Sequence, residues 1–152
     1  MKFKVEQIAI TPANTPEAMK LLEAMGAKEW TEDIVFGTGT VNGVMADNKA
    51  HLRFNYEIAP CEFEVLNYKE GNNWLAHRPH PEESAVSHLS MHCTAEEAEQ
   101  WKTFFAQHNI PLVQELATQA HSNGAVGERR WNYYIFGTRP LLGLDIKIIV
   151  RR

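Results

Sequence analysis

The chain has 152 residues, a length at which one compact domain buries most of its apolar surface. Its composition, 44% hydrophobic and 22% charged, is ordinary for a globular domain and excludes a disordered chain, a collagen-like repeat and a coiled coil. The formal net charge of -4 gives no general reason to bind nucleic acid or an anionic membrane surface. We therefore expect a single domain that has small molecules as its partners.

The cysteine content and the absence of long apolar runs predict a cytoplasmic protein. Two cysteines, Cys61 and Cys93, are too few for a disulfide scaffold, and the first residues show no pattern of a secretion signal. No apolar run approaches the roughly 18 residues of a membrane-spanning helix. Both cysteines lie in apolar strand-like segments, so we expect buried thiols rather than a catalytic or redox pair.

The first half of the chain is expected to have the element order βαβββ. Residues 3–10 alternate apolar and polar side chains, which is typical of a half-buried strand. Thr15 is predicted to cap a helix that has Pro16 at its first position and is stopped by Gly26. Gly, Asn, Asp and Pro residues separate the three strand-like segments that follow: 34–41, 51–58 and 61–68.

The second half repeats this order. A strand-like run at 86–93 leads directly into Thr94, which opens a capping box with Glu97 at the start of a second helix. Pro111 ends that helix, and three strand-like segments follow: 112–120, 130–136 and 144–150.

The repeat predicts an α+β fold of one domain, 1–152, built from two βαβββ modules that form a cupped sheet. The modules are 1–75 and 84–152, and the Pro-rich, charged segment 76–83 is the predicted exposed linker. The two helices, 15–25 and 94–108, are expected on the outside of the sheet.

Four polar residues are predicted to share one face of the sheet. The spacing between Gln7 and Glu64 is nearly the same as that between His88 and Lys147, so each pair joins the first and last strands of its module. A concave sheet would gather these side chains in a cleft that binds a ligand. The alternative is that they face bulk water, as one face of an antiparallel sheet often does. Their matched positions in the two modules favour the cleft.

Three segments, with the paired modules, carry a resemblance to a known family: 6–10, 63–68 and 88–91 before the capped helix. The sequence resembles the vicinal-oxygen-chelate superfamily, which includes glyoxalase I, extradiol dioxygenases, fosfomycin-resistance enzymes and bleomycin-resistance proteins. The resemblance covers nearly the whole chain. It implies the glyoxalase/bleomycin-resistance/dioxygenase-like fold with a U-shaped cavity, metal ligands from the first and last strand of each module, and a homodimer.

The resemblance implies metal ligands at Gln7, Glu64 and His88. The fourth ligand position, commonly Glu, falls on Lys147, whose ammonium cannot bind a cation unless it is deprotonated. The family's fourth carboxylate is associated with proton transfer in glyoxalase I, so this departure argues against full glyoxalase chemistry. Asp145 could substitute only with a shift of register.

The remaining donors, at Gln7, Glu64 and His88, suit Zn, Ni, Mn or Fe with open coordination positions. The alternative is a metal-free cleft in which Lys147 pairs with Glu64.

Three classes of function stay open at this point. The first is a divalent-metal-dependent lyase, dioxygenase or transferase, and the second is a metal-free protein that binds or sequesters a ligand such as an antibiotic. A third, an interaction module that keeps only the fold, predicts a filled cleft. No nucleotide cofactor is expected, since Gly37-Thr38-Gly39 is not followed by a helix.

The candidate catalytic residues are Glu64 and His92. His92 shares the inward face with His88 and could act as a base, but a hydrogen-bonded strand histidine is the favoured interpretation. The candidate substrate-binding residues are Lys147, Arg130 and Tyr133.

Positive charge and aromatic surface coincide at the predicted cleft mouth, in the segment 129–133. Such a segment suits an anionic or aromatic ligand, although it could be an ordinary strand with exposed ends. His77 and His80 have the spacing of metal ligands, but their place in the Pro-rich linker favours solvated loop residues.

Overall fold

The computed structural model describes residues 1–70 and 82–152, and within them it confirms the predicted α+β architecture. Both halves have the predicted order, with one short additional helix before the last strand. The elements are β1 (Gln7–Thr11), α1 (Thr15–Ala24), β2 (Thr31–Val41), β3 (Val44–Asn55), β4 (Glu62–Glu70), β5 (Ala85–Cys93), α2 (Ala95–Gln107), β6 (Leu112–His121), β7 (Trp131–Phe136), α3 (Arg139–Leu142) and β8 (Asp145–Arg151).

The eight strands form a closed barrel in the order β1-β4-β3-β2-β6-β7-β8-β5. In each half the first strand runs parallel to the last, and the other neighbours are antiparallel. The two halves meet at two antiparallel seams, β1–β5 and β2–β6. The cupped sheet predicted from the sequence therefore closes on itself, and the inner faces of both halves surround one space.

The two halves share the same register between their first and last strands. In each, the first-strand residue of the predicted site pairs with the residue two positions before the last-strand residue: Gln7 with Glu62, and His88 with Asp145. Glu64 and Lys147 therefore occupy equivalent positions, as the sequence spacing predicts.

The second half has the better packed outer layer. The capping box of Thr94 forms as predicted, and α2 buries Ala98, Trp101 and Phe105 against the outside of the barrel. Phe105 stacks on Phe136 of β7 with 4.1 Å between the ring centroids. By contrast, α1 buries only Thr15 among its residues. The α2 face therefore buries more apolar surface against the barrel than α1 does, and this burial stabilises the fold.

Three local predictions need correction. Strand β1 begins at Gln7, four positions after the predicted residue 3, since residues 3–6 are not part of a strand. The cap of α1 is Asn14 rather than Thr15: the extended backbone of Asn14 lets its side chain accept a hydrogen bond from the Glu17 N–H at 3.2 Å. Strand β3 begins seven positions before the predicted residue 51, because Asn42 and Gly43 adopt positive φ and close a tight hairpin with β2.

The glycines of 37–39 belong to strand β2 and face the seam with β6. A Cβ atom at Gly39 would lie 1.9 Å from the carbonyl oxygen of Glu115, and one at Gly37 would lie 2.9 Å from that of Ala117. The two backbones can approach this closely only because both positions lack a side chain.

The two cysteines do not form a disulfide bond with each other. Cys61 and Cys93 are free thiols and are partly rather than fully buried, and burial raises the pKa of Cys93 to about 11. Most of the predicted linker 76–83 lies outside the described residues. Within the described part of the chain, no helix has the length and apolar character needed to cross a membrane.

Candidate active site in the barrel

The four predicted polar residues meet in the interior of the barrel. Gln7 on β1, Glu64 on β4, His88 on β5 and Lys147 on β8 are 3%, 1%, 1% and 7% exposed. The alternative in which they face bulk water is therefore wrong. The central strands of both halves bring these side chains together, because β1 pairs with both β4 and β5, and β5 pairs with β8.

The imidazole of His88 is the centre of this cluster. Its Nε2 lies 3.2 Å from Gln7 Oε1, 3.3 Å from Glu64 Oε2 and 3.4 Å from Lys147 Nζ, and its Nδ1 lies 2.9 Å from Ser87 Oγ. Burial, together with the charges of Lys147 and Arg139, holds the pKa of His88 well below its ordinary value of 6.5. The imidazole is therefore neutral at physiological pH.

Glu64 is a buried carboxyl with an unused acceptor. Burial raises its pKa, and the positive charge of Lys147 opposes that change. Although Oε2 lies 3.3 Å from His88 Nε2, it has no hydrogen bond of good geometry with any described residue. An unsatisfied buried carboxylate oxygen of this kind is available to accept a proton.

The ammonium of Lys147 does not form the ion pair with Glu64 that was the alternative to a metal site. Among the described residues, its contacts are with Nε2 of His88 and with the ring of Tyr133, whose centroid lies 4.4 Å from Nζ. The positive charge is thus held between a neutral imidazole and an aromatic face, beside the carboxyl group of Glu64.

The donor set does not fit a divalent cation while Lys147 is charged. A metal ion on His88 Nε2 would lie next to an ammonium that is itself 3.4 Å from that nitrogen, and Glu64 is the only carboxylate among the four clustered residues to offset the three positive charges. Among the described residues, no group of three or more His, Cys, Asp or Glu side chains could hold a metal ion. The metal ligands implied at Gln7, Glu64 and His88 stay a prediction.

The carboxylate of Glu62 fixes the orientation of the Gln7 side chain. The amide Nε2 of Gln7 donates to Glu62 Oε1, while the Oε1 of Gln7 accepts a hydrogen bond from Ser90 Oγ. The hydroxyl of Tyr56 donates to the other oxygen of Glu62, and burial with this bond raises the pKa of Tyr56. The sequence pattern did not single out Glu62 and Tyr56, although Glu62 shares the β4 face of Glu64.

A cavity of about 290 Å³ adjoins the cluster inside the barrel. Its polar lining includes Gln7, Glu62, Glu64, Arg129 and Lys147, and its aromatic walls are Phe54, Tyr56, Trp131 and Tyr133. A smaller space of about 30 Å³ also borders Glu64, Tyr133 and Lys147. A few polar groups among aromatic walls are characteristic of sites for small molecules.

Only some of the residues predicted at the cleft mouth line the cavity. Tyr133 and Arg129 line the cavity, whereas Arg130 does not, and its guanidinium donates to the carbonyl of Arg129 at 3.1 Å. His92 lines the rim, half exposed, and its Nδ1 lies 3.1 Å from Glu6 Oε2, which agrees with a hydrogen-bonded strand histidine. His77 and His80 lie outside the described residues.

A buried pair that the sequence did not indicate also lines the cavity. His121 Nδ1 lies 2.7 Å from Asp33 Oδ2, and the two side chains are 2% and 4% exposed. Asp33 comes from β2 and His121 from β6, so only the register of the seam between the two halves brings them together. That register cannot be read from the strand pattern of either half.

Comparison with solved structures shows the fold. A hypothetical protein, BH1468, from Bacillus halodurans C-125 matches with a TM-score of 0.51 and 13% identity, over 98% of this chain and 94% of that one. Methylmalonyl-CoA epimerase from Streptomyces coelicolor, in complex with 2-nitronate-propionyl-CoA, matches with a TM-score of 0.53 and 11% identity, over 99% and 98%. No protein-family model and no curated protein matches the sequence. The chain therefore has the paired βαβββ fold of the vicinal-oxygen-chelate superfamily.

Proposed function

We propose that the barrel cavity binds a small molecule with a carbonyl or carboxylate oxygen beside Lys147, and that the protein catalyses proton transfer at the adjacent carbon. One observation carries this proposal. The unbonded oxygen of Glu64 and the ammonium of Lys147 both lie within 3.4 Å of Nε2 of the neutral His88, and both residues line one cavity. A proton acceptor and a positive charge thus lie close together at the cavity wall.

The proposed step balances with these groups alone. The C–H bond next to the carbonyl breaks, its proton moves to Glu64 Oε2, and its electron pair passes to the carbonyl oxygen as an enolate. The ammonium of Lys147 stabilises the negative charge on that oxygen. Return of the proton from Glu64 to the carbon regenerates the carboxylate. The raised pKa of Glu64 suits this role, because a base works best with a pKa near the working pH.

The fold comparison supports the choice of substrates to test. One structure of the same fold is named as an epimerase and holds a propionyl-CoA derivative. Acyl-CoA thioesters are therefore the first class to try, followed by adducts of a dicarbonyl compound with a thiol. In this proposal Lys147 supplies the positive charge that a divalent ion would supply in a metal-dependent member of the fold.

Exchange of a carbon-bound proton for deuterium tests the reaction directly. Methylmalonyl-CoA, propionyl-CoA and the methylglyoxal–glutathione adduct are each incubated with the protein in D₂O, and loss of the proton signal is followed by NMR. We expect the wild type to accelerate exchange with at least one of them, with and without EDTA. Glu64→Gln should slow that exchange about 100-fold or more, and Lys147→Gln by a similar factor.

Glu115→Gln is the matched control, since Glu115 is an exposed carboxylate on β6 that does not line the cavity. It should leave exchange unchanged. Exchange that vanishes in EDTA would contradict the role given to Lys147, and exchange that survives Glu64→Gln would contradict the role of Glu64. Binding of fosfomycin or bleomycin, with no exchange of any substrate, would instead identify the protein as one that sequesters its ligand.

A further inference from the structure

The Asp33–His121 pair is a second polar group in the cavity wall, and the reaction proposed above does not use it. Asp33 receives three hydrogen bonds, all from consecutive residues at the end of β6. Their distances are 2.7 Å from His121 Nδ1, 3.3 Å from Ser122 Oγ and 2.9 Å from the N–H of Asn123. These donors satisfy the carboxylate and fix it in place.

The other ring nitrogen of His121 has no such partner. Nε2 is buried and makes no hydrogen bond with any described residue. Because the Asp33 carboxylate accepts a hydrogen bond from Nδ1–H, Nε2 is the ring nitrogen left to bond with a group outside the pair. A buried nitrogen of this kind costs free energy unless a polar partner reaches it, and the pair lines the cavity in which a ligand would lie.

The protein backbone holds this pair rigidly across the seam between the two halves. Ser122 exchanges two hydrogen bonds with Ile34 of β2: its N–H donates to the Ile34 carbonyl at 2.9 Å, and its hydroxyl accepts from the Ile34 N–H at 2.7 Å. The side chain of Asn123 donates to the carbonyl of Glu32 at 2.9 Å. The position of His121 is therefore set before any ligand arrives.

We propose that His121, oriented by Asp33, is a specificity-determining residue that forms a hydrogen bond through Nε2 with a hydroxyl group of the ligand. This inference rests on the proposed binding of an oxygen-bearing molecule at Lys147. It defines the ligand class more closely: a hydroxy acid, or a related hydroxy carbonyl compound, with its carboxylate or carbonyl oxygen at Lys147 and its hydroxyl at His121. Asp33 acts through His121 as a positioning residue.

Chemical modification tests the unbonded nitrogen without a ligand. Diethyl pyrocarbonate acylates unprotonated imidazole nitrogens, and peptide mass spectrometry identifies the modified residue. We expect His121 to react more slowly than exposed His108, because its Nε2 is buried, but at least about tenfold faster than His88, whose Nε2 already contacts three groups. Exposed His108 is the positive control. Protection of His121 equal to that of His88 would overturn the proposal.

Matched pairs of carboxylates test the hydroxyl preference. Mandelate is compared with phenylacetate, and 3-hydroxybutyrate with butyrate, by isothermal titration calorimetry. In the wild type, the hydroxylated member of at least one pair should bind about tenfold tighter. His121→Phe should abolish this ratio and leave the other member's affinity within about twofold. Asp33→Asn should reduce the ratio, and Lys147→Gln should weaken both members alike.

The two proposals fail in different ways. If neither member of either pair binds, the proposed oxyanion site at Lys147 is wrong for these acids, and the reactivity of His121 decides the second proposal alone. If both members bind equally to the wild type, or if the preference survives His121→Phe, the role of His121 is wrong and that of Lys147 stands. Thermal unfolding of each variant checks that the barrel is intact.

Discussion

Glu64 and Lys147 occupy equivalent positions in the two halves of the barrel, and they carry opposite charges. With both ionised, this buried pair is neutral, and the neutral His88 between them adds no charge. A divalent cation bound to the cluster would give these residues an excess of two positive charges, which is unfavourable in free energy where water is excluded. The identity of residue 147 therefore decides whether the cluster can hold a metal ion.

Lys147→Glu is expected to convert the cluster into a divalent-metal site. The substitution removes the ammonium from beside His88 and adds a second carboxylate at the position equivalent to Glu64. With Gln7 and His88, four donors then surround one point, as a tetrahedral or more open site requires. Calorimetry with Zn²⁺ and Mn²⁺ should show affinity at least about 100-fold higher than for the wild type.

Lys147→Gln separates the two parts of this effect, because it removes the positive charge without adding a carboxylate. Its affinity for both ions should lie between those of the wild type and Lys147→Glu. Elemental analysis after purification without chelator gives an independent measurement. Equal metal content in the wild type and Lys147→Glu would show that the ammonium does not control metal binding.

The seam between β2 and β6 leaves no room for a side chain at two positions of β2, Gly37 and Gly39. The β2–β6 seam depends on Gly39, where a Cβ atom would lie 1.9 Å from a backbone carbonyl oxygen. Backbone on a paired strand cannot move away without breaking the hydrogen bonds of the seam. This seam also sets the Asp33–His121 contact, so its register matters to the site as well as to stability.

Gly39→Ala should lower the free energy of unfolding by about 2–4 kcal/mol, since the clash is with backbone rather than with a flexible side chain. Urea denaturation followed by circular dichroism measures the change. The matched control is Gly124→Ala: a Cβ atom there meets nothing within 4 Å, and we expect a change below about 0.5 kcal/mol. Equal stability of the two variants would mean that β2 and β6 are not paired in this register.

The elements that the sequence predicted best are those with local signals. The capping box at Thr94 located α2, and the nearly equal spacing of polar positions identified the four residues of the cluster. The Asn42-Gly43 turn is a local signal of the same kind, and it marks the true start of β3 at Val44.

What the sequence could not show depends on pairing between distant strands. The Asp33–His121 contact exists only through the β2–β6 register, and that register contains an irregularity between Phe36 and Gly37. Strand patterns give the face of each side chain but not the offset between strands of different modules. The exclusion of Arg130 from the cavity is likewise a property of the loop before β7 and not of its composition.

The polar cluster is also a contact between the two halves of the barrel. Gln7 and Glu64 belong to the first half, His88 and Lys147 to the second, and all four are buried. Closing the barrel therefore requires His88 to be transferred from water to the interior as a neutral ring. The free energy of unfolding must then depend on whether the unfolded chain carries a proton on this residue.

The sign of that dependence follows from the lowered pKa of His88. Below about pH 6.5 the unfolded chain binds a proton that the folded protein does not, so the contribution of His88 to stability is complete above this pH and is lost as the pH falls. The raised pKa of Glu64 acts in the opposite direction: its contribution is complete below about pH 4.5 and is lost as the pH rises through the folded-state pKa. A variant at His88 isolates the first effect.

His88→Gln should flatten the fall in stability of the wild type between pH 6.5 and 5.5, which we expect to approach about 1.4 kcal/mol per pH unit from this residue. Urea denaturation at pH 7.5, 6.5 and 5.5 gives the slope for each protein. His108→Gln, at an exposed position after α2, controls for the loss of a histidine and should keep the wild-type slope. A wild-type slope that persists in His88→Gln would show that the acid sensitivity of the barrel does not come from the burial of His88.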